Sequence, residues 1–202
     1  LELVGAYGRR RGRAGIDLGR AIGLNRDLGL PISADLGQVV EHSRPHVAIQ
    51  ATCSRLSDAI PEICTLVRRR VHVISIAEEM AYPAYASATL AKELRQLAVT
   101  HRVSILGTGI NPGFVLDLLV IALSGVCTDI ESIIAKRVND LSPYGPSVLK
   151  SQGVGLTLEA FHEGLENRTV VGHVGFPQSL HMVAGALGWE LERTEETREP
   201  IV

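Results

Sequence analysis

Two short apolar runs, each breaking off into polar, Gly and Pro residues, constrain this chain more than any other feature. Val71-His-Val-Ile-Ser-Ile76 passes into Ala77-Glu-Glu-Met-Ala-Tyr-Pro83, and Val103-Ser-Ile-Leu106 passes into Gly107-Thr-Gly-Ile-Asn-Pro-Gly-Phe114. Runs of this length, rich in β-branched residues and bounded by Gly and Pro, read as buried strands. A helix-period stretch over 85–101 separates them, so the two strands lie parallel in one sheet. In an open parallel sheet, ligands bind just beyond the carboxyl ends of the strands. Those ends here carry paired carboxylates and a Gly-Thr-Gly-x-Asn-Pro-Gly turn.

The same rhythm runs through the first half of the chain. Strands are expected at 1–7, 46–51, 71–76 and 103–106, with a brief extended piece at 31–34. Helices are expected at 17–22, at 35–43 with Asp35 as N-cap, at 57–69 opened by Ser57, and at 85–101. Arg68, Arg69 and Arg70 close the third of these, where cations suit a helix C-terminus. This predicts an α/β fold with an incomplete Rossmann-type parallel sheet over residues 1–112. A helix at 113–124 leads out of it. Beyond, strands at 130–138, 169–173 and 189–197, a loop over 139–155 and helices at 157–166 and 177–187 predict part of an α+β catalytic domain over 113–202.

Composition narrows the class of partner. The net charge of −2 excludes a general nucleic-acid binder, and 4% aromatic content removes the stacking platforms a single-strand binder needs. Cys53, Cys64 and Cys127 match neither a disulfide framework nor a zinc motif, so a cytoplasmic home and no metal are expected. The apolar run 114–123 is interrupted by Asp117 and is far short of the roughly 20 residues a membrane span needs, so no membrane partner is expected.

A dinucleotide-binding half opens with a strand, a Gly-x-Gly-x-x-Gly turn and a helix. This sequence contains no such turn: Gly107-x-Gly109-x-x-x-Gly113 has the wrong spacing and is broken by Pro112. The run 1–7 reads instead as the second strand of such a half, whose end faces the adenosine ribose. Gly8 stands there, followed by Arg9, Arg10 and Arg11, and arginine gives planar multi-donor recognition of a phosphate. The cluster reads either as a site for the 2′-phosphate of NADP or as a solvated basic loop.

Residues 46–54, 73–83, 106–117, Arg137-Val-Asn-Asp-Leu-Ser-Pro-Tyr-Gly-Pro146, Gln152-Gly-Val-Gly-Leu156 and Val171-Gly-His-Val-Gly-Phe-Pro-Gln-Ser-Leu-His-Met182 together resemble the 2,4-diaminopentanoate dehydrogenase family, within the dihydrodipicolinate reductase-like superfamily. The resemblance covers nearly the whole sequence and implies oxidative deamination at C4 of 2,4-diaminopentanoate. NADP, or NAD, takes the hydride, and water releases 2-amino-4-oxopentanoate and ammonia. It further implies a small diamino-acid substrate, a homo-oligomer when complete, and a chain truncated at both ends. The alternatives are another imine or oxo-acid oxidoreductase of the superfamily, and a fragment that binds no nucleotide.

Candidate site residues follow. Glu78 or Glu79 would hold the substrate ammonium groups and take the amine proton. Either could equally cap the helix near 84. Ala51, Thr52 and Cys53 end a strand where the nicotinamide ribose would pass, while Gly107 and Gly109 allow close cofactor approach. Asn111 and Gly113 stand in a turn that could receive a substrate carboxylate. Arg137, Asn139, Asp140, Ser147, Lys150 and Gln152 are substrate-binding candidates in and before the long loop. His181 is a catalytic candidate, set beside Gln178 on one helical face.

Overall fold

The computed structural model describes residues 1–200. They fall into two compact units, Leu1–Gly109 and a second from Ile110 onward. The first unit holds β1 (Ala6–Tyr7), α1 (Leu18–Ala21), β2 (Ile32–Ser33), α2 (Leu36–Ser43), β3 (Val47–Gln50), α3 (Leu56–Arg68), β4 (His72–Ser75), α4 (Pro83–Ala86), α5 (Ala88–His101) and β5 (Ile105–Gly107). Every strand pair is parallel.

The strands form two sheets. β1 pairs with β2 through Ala6↔Ile32 and Tyr7↔Ser33. β3, β4 and β5 lie in that order, with Gln50 opposite Ser75 and Ser75 opposite Gly107. The carboxyl ends of all three strands are therefore level. Only residues 6–7 of the expected strand 1–7 join a ladder. β5 starts two residues late because the Val103 amide is held by the Ala98 carbonyl at the end of α5.

α3 explains why this sheet is stable. Leu56, Ala59, Ile63, Leu66 and Val67 follow helical spacing and are buried with Val71, Val73, Ala77 and Met80. Each large side chain fully buried here is worth about 1.5–3 kcal/mol of transfer free energy. Ser57 does not open this helix. Arg55 occupies the N-cap without a side-chain bond, and the Glu79 carboxylate reaches the Leu56 amide at 2.7 Å instead. The expected helix 85–101 is broken at Ser87, whose extended backbone ends α4 and whose hydroxyl accepts from the Leu90 amide to start α5.

The second unit holds α6 (Leu118–Ser124), α7 (Pro146–Ser151), α8 (Leu158–Glu166) and α9 (Phe176–Leu187). α6 starts five residues later than predicted, because Gly113 has φ +120° and the Asp117 carboxylate accepts the Gly113 and Leu118 amides. The loop 139–155 contains α7, which opens on Pro146, a residue that suits the first helical turn. Thr157 caps α8 through the Ala160 amide. The runs expected as strands at 130–138, 169–173 and 189–197 form no ladder among the described residues. A strand exists only where a neighbour takes its backbone groups. Ile134 and Val138, which such a ladder would cover, are 84% and 99% exposed.

Candidate functional site

In the first unit the level strand ends create a polar ledge. Ser75 is fully buried, donates to Gln50 Oε1 and receives the Ala77 amide at 3.2 Å. Gln50 is itself buried and turns its amide to Glu62 on α3. Glu62 also accepts from the Thr52 hydroxyl, and from Arg9 Nε at 2.6 Å. Burial pushes the Glu62 carboxyl up, but the bonds from Arg9, Thr52 and Gln50 outweigh it and hold the group below the ordinary carboxylate range. The second guanidinium edge of Arg9 donates to the Asp58 carbonyl at 2.6 Å.

This arrangement divides the arginine cluster. Arg9 is committed to α3, whereas Arg10 and Arg11 are exposed. Arg11 lines an open polar cavity of about 780 Å³ together with Ser33, Asp35, Gln38 and Arg69. Ala51 is exposed, and Thr52 and Cys53 are half-buried around the Gln50 amide.

The two glutamates part as well. Both lie in the tight turn Glu78–Ala81 beyond β4. Glu79 is tied at both ends, its amide donating to the Ser54 carbonyl at 3.1 Å and its carboxylate accepting from Leu56. It caps α3 rather than the helix near 84. Glu78 is half-buried in the same turn. Gly107 meets the back of this turn: a Cβ there would lie 1.7 Å from the Met80 carbonyl oxygen. Its lack of a side chain serves the approach of that turn to β5. Gly109 follows at the strand end and is half-buried.

The second unit has its own buried polar centre. Asp117 is fully buried and accepts from the Gly113 amide at 2.7 Å, the Leu118 amide at 2.6 Å and the Ser179 hydroxyl at 2.7 Å. It thereby locks the turn 111–117 onto the start of α9. Asn111 Nδ2 lies 3.0 Å from His173 Nε2, and the His173 ring meets Phe176 edge-on at 5.0 Å. Asn111 Oδ1 is buried and takes no hydrogen bond from the described residues. A buried carbonyl in that state is a ready acceptor for a donor brought by a ligand.

The other candidates sit around or away from this centre. Gln152 donates to the Gly172 carbonyl at 2.9 Å, so it borders the segment that carries His173. His181 is half-buried on α9, one turn on from buried Gln178. Ser147 and Lys150 are exposed on α7. Asn139 donates to the Tyr144 hydroxyl, and Asp140 accepts both the amide and hydroxyl of Ser142. Those bonds, the Ser142 amide foremost, hold the Asp140 carboxyl below its usual range. Arg137 is half-buried in the unpaired run. Among the described residues, no group of three or more His, Cys, Asp or Glu could hold a metal ion.

Residues 114–202 match the family model of the 2,4-diaminopentanoate dehydrogenase C-terminal domain. Across its entire length the chain is similar to the 2,4-diaminopentanoate dehydrogenase of Acetoanaerobium sticklandii, with 42% identity over 204 residues. It spans 58% of the length of that curated relative. An amine dehydrogenase of Streptomyces virginiae is 28% identical over 205 residues, covering 98% of this chain and 56% of that protein. The solved structure of an amine dehydrogenase from Mycobacterium smegmatis superposes with a TM-score of 0.74 at 27% identity, over 95% of this chain and 56% of that one.

Three contributors escaped the reading of the sequence. Glu62 had a legible signal, since it shares the apolar face of α3 with Ala59, Ile63 and Leu66, where a carboxylate needs partners. Asp117 had one too, as the lone charge in the run 114–123. His173 stands in the run 171–182 that carries the resemblance, but its pairing was not legible, because its partner Asn111 lies 62 residues away.

Proposed function

We propose that this polypeptide carries a large part of an NAD(P)-dependent dehydrogenase that oxidises the C4 amine of 2,4-diaminopentanoate, giving 2-amino-4-oxopentanoate and ammonia. The observation that carries the reading is the 42% identity to a protein of that name along the whole chain. A nicotinamide, when bound, would supply the acceptor for the hydride lost from C4. The substrate imine then adds water and expels ammonia, so one water is consumed and one proton released per turnover.

The chain's own residues supply binding and proton handling. Glu79 is occupied as a cap, which leaves Glu78 as the carboxylate for the substrate ammonium and for the amine proton. In the second unit, the buried Asn111 Oδ1, which takes no hydrogen bond from the described residues, is assigned as an acceptor for a substrate N–H, and the paired His173 holds the Asn111 amide in orientation. His181, Gln152, Lys150, Ser147, Arg137, Asn139 and Asp140 are assigned to the substrate side, where the cationic members suit its carboxylate. We keep the division into a nucleotide-binding part, 1–112, and a substrate part, 113–202.

The residues present fit the adenosine end of the nucleotide. Arg11 lines the polar cavity at the end of β2 and offers guanidinium donors for a 2′-phosphate, which favours NADP, while Arg69 in the same cavity pairs with Glu41 at 3.2 Å. Arg9 is withdrawn from that role by Glu62. Thr52, Cys53, Gly107 and Gly109 remain the residues for the nicotinamide side. Cys53, Cys64 and Cys127 are unbridged, which supports a cytoplasmic home. No helix among the described residues is long and apolar enough to cross a membrane. Association of copies belongs to the same proposal.

The test is reduced-nicotinamide absorbance with 2,4-diaminopentanoate, simple amines and 4-amino acids, each with NADP+ and NAD+. Turnover fastest with the diamino acid and NADP+ is expected. Turnover only with simple amines would favour the activity that the names of the two amine dehydrogenases print. No protection from thermal unfolding by NADPH would refute nucleotide binding by this chain.

A further inference from the structure

α3 and α5 pack together and return to the amino ends of β4 and β5 by turns that are built alike. Each turn holds an arginine in the left-handed region, Arg70 at φ +60° and Arg102 at φ +56°, where helices ordinarily end on Gly or Asn. Arg70 stands three residues before Val73 and Arg102 three before Ile105, and those two strand residues are partners in the ladder. The register thus sets the arginines at matching places on neighbouring returns. Both line one polar cavity of about 460 Å³ with His72, Thr100, His101 and Val103.

The chemistry of this cavity is one-sided. No carboxylate lines it, and neither arginine pairs with one among the described residues. Arg69, one residue earlier, is the cation that answers Glu41. His72 Nδ1 accepts the Ser104 amide at 3.0 Å, which leaves Nε2–H as a further donor. The Thr100 hydroxyl is spent on the Gln96 carbonyl at 2.9 Å. Cations at helix C-termini also answer the helix dipole, but each such end carries only roughly half a unit of negative charge. Two arginines against two helix ends leave an excess of about one positive charge before either histidine is protonated.

We propose that this cavity binds the phosphomonoester group of a small molecule, at the opposite end of β4 and β5 from the polar ledge. His72 opens β4 and Ser75 closes it, so roughly 10 Å separates the two. A phosphomonoester brings three terminal oxygens and about two negative charges, which two guanidinium forks and an imidazole N–H can share. A carboxylate brings two oxygens and one charge, and leaves donors unanswered. The volume has room for the rest of a small molecule beside the phosphate. Nucleic acid is the poorer occupant, because the net charge of the chain is −2. The proposal is independent of the enzymatic reading and needs no turnover to be tested.

The probe is glycerol phosphate, titrated into the full chain at about pH 8 and constant ionic strength, where the ester is dianionic. Backbone amide NMR shifts should change saturably at residues 70–73 and 100–104. Acetate should bind there at least about tenfold more weakly. Replacing both arginines, Arg70→Gly with Arg102→Gly, removes the guanidinium groups and gives each left-handed position the residue it favours. That variant should melt at or above the temperature of the parent and bind the probe at least about tenfold more weakly. Arg11→Ala, in the other polar cavity, should leave the shifts at 70–73 and 100–104 unchanged. Shifts confined to residues 33–38, full affinity in the double variant, equal binding of acetate, or displacement of the probe by a tighter-binding single-stranded RNA oligomer would each overturn the proposal.

Discussion

Asp117 offers the sharpest test of how the second unit is held. Its carboxylate is fully buried and accepts three hydrogen bonds, two from backbone amides and one from Ser179. Asp117→Asn keeps the shape but replaces one acceptor oxygen by a donor. If the remaining oxygen keeps the Leu118 amide, the new NH₂ faces the Gly113 N–H, and that amide is left buried and unpaired. One orphaned donor costs about 1–3 kcal/mol, and the surviving bonds drop from charge-assisted to neutral strength. The expected loss is about 2–4 kcal/mol. Ser179→Ala removes a single bond to a charged group, about 1.5–3 kcal/mol. Because the two residues share a bond, the double variant should lose less than the sum, by about 1–2 kcal/mol. Trp189 is the only tryptophan and follows α9 directly, so its fluorescence reports this unit in a urea titration. With an m-value of about 1–3 kcal/mol/M, the midpoint should fall by about 1–2 M for Asp117→Asn. A shift corresponding to under about 0.5 kcal/mol, or strict additivity, would refute the account.

The remaining expectations concern the first unit. Glu62 is held below its unfolded carboxylate value near about 4.3, so its contribution is present above that pH and vanishes as pH falls through the folded value. Urea midpoints of the native chain should therefore drop more steeply between about pH 5 and 3 than those of Glu62→Gln, and parallel profiles would remove the charge network from the account. Gly107→Ala places a Cβ 1.7 Å from a backbone oxygen, so thermal stability should fall by about 2–3 kcal/mol; an unchanged melting temperature would show that the turn at Glu78–Ala81 yields freely. Glu79→Gln should cost about 1 kcal/mol through the weakened cap on α3, whereas Glu78→Gln should leave stability unchanged and lower kcat/KM.

The parallel α/β unit was legible because hydrophobic period and strand termination reinforce one another there. β3, β4 and β5 are short β-branched runs cut off by polar residues, and α3 repeats its apolar residues at helical spacing. Caps were legible only where the capping side chain is local. Asp35 bonds the Gln38 amide three residues on, and Thr157 does the same for Ala160. The cap of α3 comes from Glu79, beyond the next strand, so Ser57 was the best local guess and the wrong one. The runs 130–138, 169–173 and 189–197 failed for a related reason. Alternation of apolar residues announces a strand's side chains, but a strand's existence depends on a neighbour that no local pattern encodes.

The same distinction between local composition and distant partners reshapes the chemistry. A triplet of arginines reads as one phosphate site, and a pair of glutamates reads as one catalytic dyad, because sequence presents neighbours as equivalents. Tertiary contacts remove the equivalence. Glu62 claims Arg9, and the bond it makes at 2.6 Å costs that guanidinium its freedom to meet a phosphate without leaving a buried carboxylate uncompensated. Leu56 claims Glu79 in the same way. The members of each set that are not tied into the core in this way are Arg10 and Arg11, both exposed, and Glu78, half-buried in the turn beyond β4. In the second unit the logic runs in reverse. Asp117 gives its three accepted hydrogen bonds to the fold, and by fixing the turn 111–117 it keeps Asn111 beside His173 with one carbonyl still to be answered.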